Sequence, residues 1–252
     1  TGTLDPMATG LLPLCFGEAT KFSADLLDAD KTYEAELKLG VTTDTGDAEG
    51  QVLTTSEAAV SIADVERLLP RFTGPIKQIP PMHSALKRDG RPLYELARQG
   101  IEVEREARDV TIHALDILGL EGDVLRLRVS CSKGTYIRVL AADIGQMLGC
   151  GAHLTALRRT RVGDLVLERS VTLSQLEMQD EEQRVVHLLP VDALLQSLPA
   201  VHVAADEANR FSHGNPVALP AGLLGKIRVY ADGRLLGVGE PGPGGLLWPK
   251  RL

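Results

Sequence analysis

Residues 31–40, KTYEAELKLG, place Tyr33, Ala35, Leu37 and Leu39 at every second position, with Thr32, Glu34, Glu36 and Lys38 between them. Side chains on an extended chain alternate between opposite faces, so this stretch predicts a strand with one buried face and one wet face. A second alternation at 124–131 sets Leu125, Leu127, Val129 and Cys131 against Arg126, Arg128 and Ser130, and the turn Glu121-Gly122-Asp123 ties it to a strand near 109–118. Beyond Lys133-Gly134-Thr135 the apolar period becomes helical, through Ile137, Leu140, Ala141, Ile144 and Leu148. Thr135 reads as the N-cap and Gly149 as the stop. Shorter helices are predicted from Ser61, carrying Ile62, Val65, Leu68 and Leu69 before Pro70, and over Leu93 to Gln99 before Gly100.

Residues 73–92, TGPIKQIPPMHSALKRDGRP, are rich in proline and glycine and read as an exposed excursion. The composition shifts again after PVDALLQSLPA at 190–200, which places a boundary near residue 199. Beyond it the pattern predicts a helix near 205–213, a hairpin from Lys226–Tyr230 through Ala231-Asp232-Gly233 to Leu235–Val238, and a glycine-rich loop at 239–245.

With 252 residues, 44% of them hydrophobic and 24% charged, the chain can bury a sizeable core. No apolar run approaches the roughly eighteen residues of a membrane span, so no membrane partner is expected. Cys15, Cys131 and Cys150 form no CxxC pair, which points away from a disulfide framework or a zinc site and toward the cytoplasm. The net charge of −7 is unevenly spread. Residues 25–66 hold eleven acids against Lys31 and Lys38 and should face away from any nucleic acid. Basic islands occur at Lys77, Lys87, Arg88 and Arg91 around Asp89, within 131–169, and in the tail. The chain starts at Thr1 in a segment already dense with motif, so a preceding N-terminal portion is expected.

Three places could carry chemistry. Asp5 sits in TGTLDPMATGLLP between glycine turns and directly before Pro6, in what must be a non-helical turn, structural or catalytic. Tyr136 and Arg138, in CSKGTYIRVLAADIG, fall where a strand gives way to a helix, a common place for cleft residues. A cation in a first helical turn opposes the macrodipole, so Arg138 calls for a nearby carboxylate or phosphate, and Asp5 could be that partner. Tyr33 lies on the apolar face of its strand, either as a core tyrosine or as a platform for a ligand. Asp44-Thr45-Gly46 matches the aspartic-protease tripeptide, but that chemistry needs two such carboxylates, so VTTDTGDAEG reads as a loop. The six histidines form no HExxH, and Cys131, on the inward side of its strand, reads as core.

Taken together, GTLDPMATGLLP, KTYEAELKLG, PPMHSALKRDGRPLYELAR, CSKGTYIRVLAADIG and GAHLTALRRTRVG, in that order, resemble the pseudouridine synthase B family, which converts a T-loop uridine of tRNA, conventionally position 55, to pseudouridine. The resemblance implies an α+β fold, with a mixed, largely antiparallel sheet in a catalytic domain over 1–198. It also implies a T-arm-gripping insertion at about 73–109 and a small β-rich, PUA-like domain over 199–252. It makes Asp5 the catalytic aspartate, Tyr33 the aromatic under the target base and Arg138 the ion-pair partner of Asp5, with Tyr136 and Leu157 lining the pocket. The islands at Lys87, Arg88 and Arg91 and at Arg158, Arg159 and Arg161 would hold tRNA phosphates. No metal or cofactor is implied, and a cytoplasmic monomer is expected. The family motif normally opens with a glycine and a histidine just before Thr1, and that histidine, which helps wedge the T-loop open, is absent here. A non-catalytic RNA-binding protein and a hydrolase built on Asp5 and Arg138 are the rival readings.

Overall fold

The computed structural model describes residues 2–88 and 90–252, so Thr1 and Asp89 lie outside the described residues. The first strands are β1 (Thr9–Gly10), β2 (Lys31–Leu39), β3 (Gly74–Gln78), β4 (Arg108–Glu121), β5 (Val124–Cys131), β6 (Ala152–Val162) and β7 (Leu165–Val166). They form one sheet in the order β1-β6-β2-β5-β4-β3, with β7 folded back on β6. Every pairing is antiparallel except β1 on β6. Four helices accompany the sheet: α1 (Ser23–Asp28), α2 (Ile62–Leu68), α3 (Leu93–Arg98) and α4 (Ile137–Met147).

The period-two residues of β2 and β5 build the core. Ala35, Leu37 and Leu39 meet Leu125, Leu127 and Val129 together with Ile137, Leu140, Ala141 and Ile144 of α4 in one buried cluster. Leu125, Val129, Ile144 and Leu154 are completely buried, and each such aliphatic side chain contributes about 1.5–3 kcal/mol. α4 lies close against β6 because Gly145 has no side chain; a Cβ there would stand 2.2 Å from the Ala152 nitrogen. Ser61 caps α2 as the sequence predicts, in a reciprocal box with Asp64.

The structure departs from the sequence reading at several places, three of them in the framework of the two sheets and α4. Gly74–Gln78 is no excursion but β3, paired antiparallel with Arg108–Ile112. It is an edge strand, which tolerates Pro75 because one side of its ladder is unpaired, and the excursion proper starts after Gln78. Thr135 does not cap α4; its hydroxyl donates to Ser132 O at 2.9 Å, and Tyr136 occupies the N-cap position without a side-chain bond. Gly239 and Gly242 belong to a strand rather than a loop. A Cβ on Gly242 would lie 2.4 Å from the Trp248 ring, so glycine serves close packing there.

Those two glycines lie in the second sheet, made of β8 (Ala200–His202), β9 (Val217–Ala218), β10 (Ile227–Ala231), β11 (Arg234–Gly242) and β12 (Leu246–Arg251) in the order β8-β10-β11-β12-β9. The helix Ala205–Ser212 places Phe211 in its core. Phe22, Leu195 and Val238 form a separate buried cluster, and Lys226 pairs with Asp25. Among the described residues no helix is long and apolar enough to cross a membrane.

Candidate active site

The segment Gly2–Leu11 is a loop that ends on β6. Pro6 follows Asp5 at the turn position proline favours, and Ala8 N–H donates to Asp5 O at 2.9 Å. Thr9 and Gly10 then pair with Arg158 and Arg159. Gly10 has φ +98°, and a Cβ there would lie 2.3 Å from Arg159 O, so only glycine lets the loop meet the strand this closely.

Asp5 and Arg138 face each other across 133 residues of sequence. Arg138 Nε donates to Asp5 Oδ2 at 2.9 Å and Nη2 to Oδ1 at 3.1 Å, a two-pronged fork. The arginine side chain is 5% exposed and the aspartate 34%, so the carboxylate keeps an open side. The cation in the first turn of α4 thereby finds the carboxylate that its place against the macrodipole requires.

Arg138 also has partners that no motif announces. Nη2 donates to His83 O at 2.8 Å and Nη1 to Thr45 O at 3.2 Å, and Nη1 stands 3.4 Å from Asp47 Oδ2. Asp47 is 3% exposed, and its Oδ1 accepts from Thr45 Oγ1 at 2.6 Å and Glu49 N–H at 3.1 Å. The segment VTTDTGDAEG, expected to be a loop, opens with a strand at Val41–Thr43 that pairs antiparallel with Val52–Thr55, and its turn is more than an acidic one. It docks on β6 through Leu154 N–H to Gly46 O and Ala48 N–H to Leu154 O, and brings a second carboxylate to the guanidinium. Gln78 is equally silent in the sequence. Its buried amide accepts from Tyr136 N–H at 2.9 Å and donates to Tyr136 O at 3.2 Å, which pins the residue before α4.

Tyr33 is half-buried and, with Met7 and Ala8 of the Asp5 loop, packs against the cluster that contains Leu157. Burial pushes its hydroxyl above the usual range and nearby Cys131 adds to the effect, while the Arg159 guanidinium pulls it down. Cys131 is core, as its alternation predicts; burial lifts its thiol to about 11. Tyr136 is half-buried and Leu157 is 7% exposed.

The basic residues divide. Lys87, Arg88, Arg91, Arg158 and Arg161 are exposed, the first three on the short antiparallel pair Lys87–Arg88 and Arg91–Pro92. Arg159 is not available to a phosphate. It is 1% exposed, with Nε donating to Leu11 O at 2.8 Å and Nη2 to Gly2 O at 3.0 Å. Neighbours on a strand point to opposite faces, so Arg158 goes to solvent and Arg159 to the interior beside Tyr33, its register partner. A cavity of about 270 Å³, lined by Asp25, Leu26, Leu195 and Lys226 among others, lies away from Asp5.

The mixed sheet thus holds a partly open carboxylate in a guanidinium fork, with Tyr33 packed on the same cluster as Met7 and Ala8 of the Asp5 loop. Residues 1–137 match the model of the TruB family pseudouridylate synthase N-terminal domain. Residues 138–196 match that of the tRNA pseudouridylate synthase B C-terminal domain, and 199–252 that of the pseudouridine synthase II TruB C-terminal region. The chain belongs to the TruB family of pseudouridine synthases. It is 75% identical over its whole length to a tRNA pseudouridine synthase B of Dechloromonas aromatica, of which it covers 84%. It is 58% identical to that of Aromatoleum aromaticum, of which it covers 82%. Among solved structures it resembles a chain of a Cbf5-Nop10-Gar1 complex, with TM-score 0.76, 26% identity, and coverage of 99% of this chain and 74% of that one. A chain of an H/ACA RNP bound to a substrate RNA containing 2'-deoxyuridine shares the fold, with TM-score 0.74, 23% identity, and coverage of 100% and 74%.

Proposed function

We propose that this chain isomerises uridine 55 in the T-loop of tRNA to pseudouridine, with Asp5 as the catalytic carboxylate. The observation that carries the reading is the Asp5–Arg138 fork, which aims a partly open carboxylate from a loop tied to a rigid strand. The reaction breaks the N1–C1′ bond, turns the uracil, joins C5 to C1′ and removes the C5 proton. It is redox-neutral, so a carboxylate and a proton carrier suffice. Positive charge develops at C1′ as the bond breaks, and Asp5 either stabilises that charge, attacks C1′, or adds to C6 of the base. Each route needs an oxygen held in one direction, which the fork supplies.

A uridine inside a folded T-loop must first be flipped out, at a cost of a few kcal/mol. Tyr33 supplies a face on which the base stacks, returning about 1–3 kcal/mol, and its hydroxyl is the candidate for the proton transfer. Tyr136 and Leu157 line the pocket. The hairpin with Lys87, Arg88 and Arg91, together with Arg158 and Arg161, holds backbone phosphates of the T-arm. The insertion at about 73–109 grips that arm, and 199–252 act as a PUA-like RNA-binding domain on a cytoplasmic monomer.

The test is release of tritium from tRNA labelled at C5 of uridine, with mapping of pseudouridine to position 55. The chain should release the label, and Asp5→Asn should not. Binding without release would support a non-catalytic RNA binder, and free uracil in the products a hydrolase.

A further inference from the structure

Arg159 is among the largest fully buried side chains of the molecule, and the proposed chemistry leaves it without a task. Two acids close to it or to its ladder partner in sequence are engaged elsewhere: Glu34 with Arg128, and Asp164 with Arg161. Among the described residues no carboxylate pairs with it. Burying a guanidinium without a counter-charge costs several kcal/mol, and the neighbouring inward residues Leu157 and Val162 show that the strand accepts aliphatic side chains on this side. Packing alone gives no reason for a cation here.

Its contacts supply one. Nε holds Leu11 O and Nη2 holds Gly2 O, while the Arg159 backbone carbonyl accepts from Leu11 N–H at 2.8 Å. Gly2 and Leu11 are the two ends of the loop that carries Asp5, so one side chain closes that loop. Across the β6–β2 ladder Arg159 is the direct partner of Tyr33. The same cation therefore holds the frame of the carboxylate and stands across the ladder from the tyrosine, whose hydroxyl its charge pulls toward the ionised form.

We propose that Arg159 is a positioning residue for the isomerisation, closing the Asp5 loop from both ends while its buried charge orients the hydroxyl of Tyr33 toward the base. This rests on the isomerase reading above. It assigns Arg159 no contact with RNA, only control of two groups that meet the nucleotide. A misplacement of about 1 Å at a reacting group costs about 100-fold in rate, so the loss should fall on turnover and not on tRNA affinity.

The experiment is single-turnover tritium release and tRNA binding for Arg159→Met and Arg159→Lys, each alone and combined with Tyr33→Phe, with thermal melting to establish folding. Arg159→Met should lose about 100-fold in rate at nearly unchanged Kd. Arg159→Lys, which keeps the charge but not the fork, should regain part of it. In the Tyr33→Phe background the Arg159→Met loss should shrink, because two residues acting through one hydroxyl are not additive. A folded Arg159→Met that turns over like the parent overturns the proposal. So does a loss confined to Kd, or an equal loss in both backgrounds. If Arg159→Met does not fold, the same comparison with Arg159→Lys decides. A parent that releases no tritium refutes the isomerase reading itself, whereas a working parent with unaffected variants refutes only the role of Arg159.

Discussion

Arg138 grips Asp5 with Nε and Nη2 and turns Nη1 toward Asp47, whose Oδ2 stands 3.4 Å away. One guanidinium thus joins a partly open carboxylate to a buried one. The buried carboxylate is itself fixed by Thr45 and by the backbone of Glu49.

Asp47→Asn should therefore damage turnover without touching the nucleotide. The amide keeps the shape but loses the charge that holds Nη1, so the aim of the fork loosens. We expect a fall of about 100-fold in the tritium-release rate with tRNA Kd little changed. Asp47→Ala should also lower stability, by less than the roughly 3–5 kcal/mol of an orphaned buried charge, because Asp5 still faces Arg138. Urea unfolding measures this, and an Asp47→Asn enzyme as fast as the parent would remove Asp47 from the machinery.

Tyr33→Phe separates stacking from proton transfer. The ring face remains, so tRNA binding should hold, while the rate should drop by about 100- to 10,000-fold if the hydroxyl carries a proton. Tyr33→Leu should weaken binding as well, by about 1–3 kcal/mol. Undiminished turnover in Tyr33→Phe excludes the hydroxyl as an essential acid or base.

The exposed cations make a salt-dependent prediction. Lys87→Gln, Arg88→Gln, Arg91→Gln and Arg158→Gln should each weaken tRNA binding and reduce the slope of log K against log salt concentration by about 0.7–0.9 for each phosphate left without its cation. Binding isotherms between low and moderate salt give the slope. Arg159→Met should leave it unchanged, because that side chain is buried.

The cap of α2 makes a prediction in pH. Hydrogen bonds from the Ser61 hydroxyl and backbone, helped by Arg67, hold the carboxyl of Asp64 at about 2, below its usual 3.8. A depressed carboxylate supports the fold above its unfolded value and loses that support as pH falls through the folded one. The cap should therefore loosen between about pH 4 and 2. NMR titration of the Asp64 carboxyl should show the low midpoint, and Ser61→Ala should move it up toward 3.8. An unmoved midpoint would exclude Ser61 as its source.

Local patterns were the legible ones. Alternation at Tyr33, Ala35, Leu37 and Leu39 yields a strand wherever it is placed, and the helical stripe from Ile137 to Ile144 yields α4, because side-chain direction follows from backbone geometry within a few residues. The family motifs single out Asp5, Tyr33 and Arg138 for the same reason: they are contiguous strings. Gly74–Gln78 was hidden because its composition resembles a loop and only pairing with β4 makes it a strand.

What no string could contain is which distant backbone a side chain meets. Arg158 and Arg159 are adjacent and chemically identical, yet one is bathed in water and the other is sealed under Leu11 and Gly2. Asp47 reads as one acid among eleven in its region and becomes a partner of Arg138 only when its loop lands on Leu154. The amino-acid order determined the elements with a clear period and the residue types of the motif strings. Tertiary contact decided which charges would be buried, because the cost of desolvating a charge is set by partners that chain folding brings from about a hundred residues away or more.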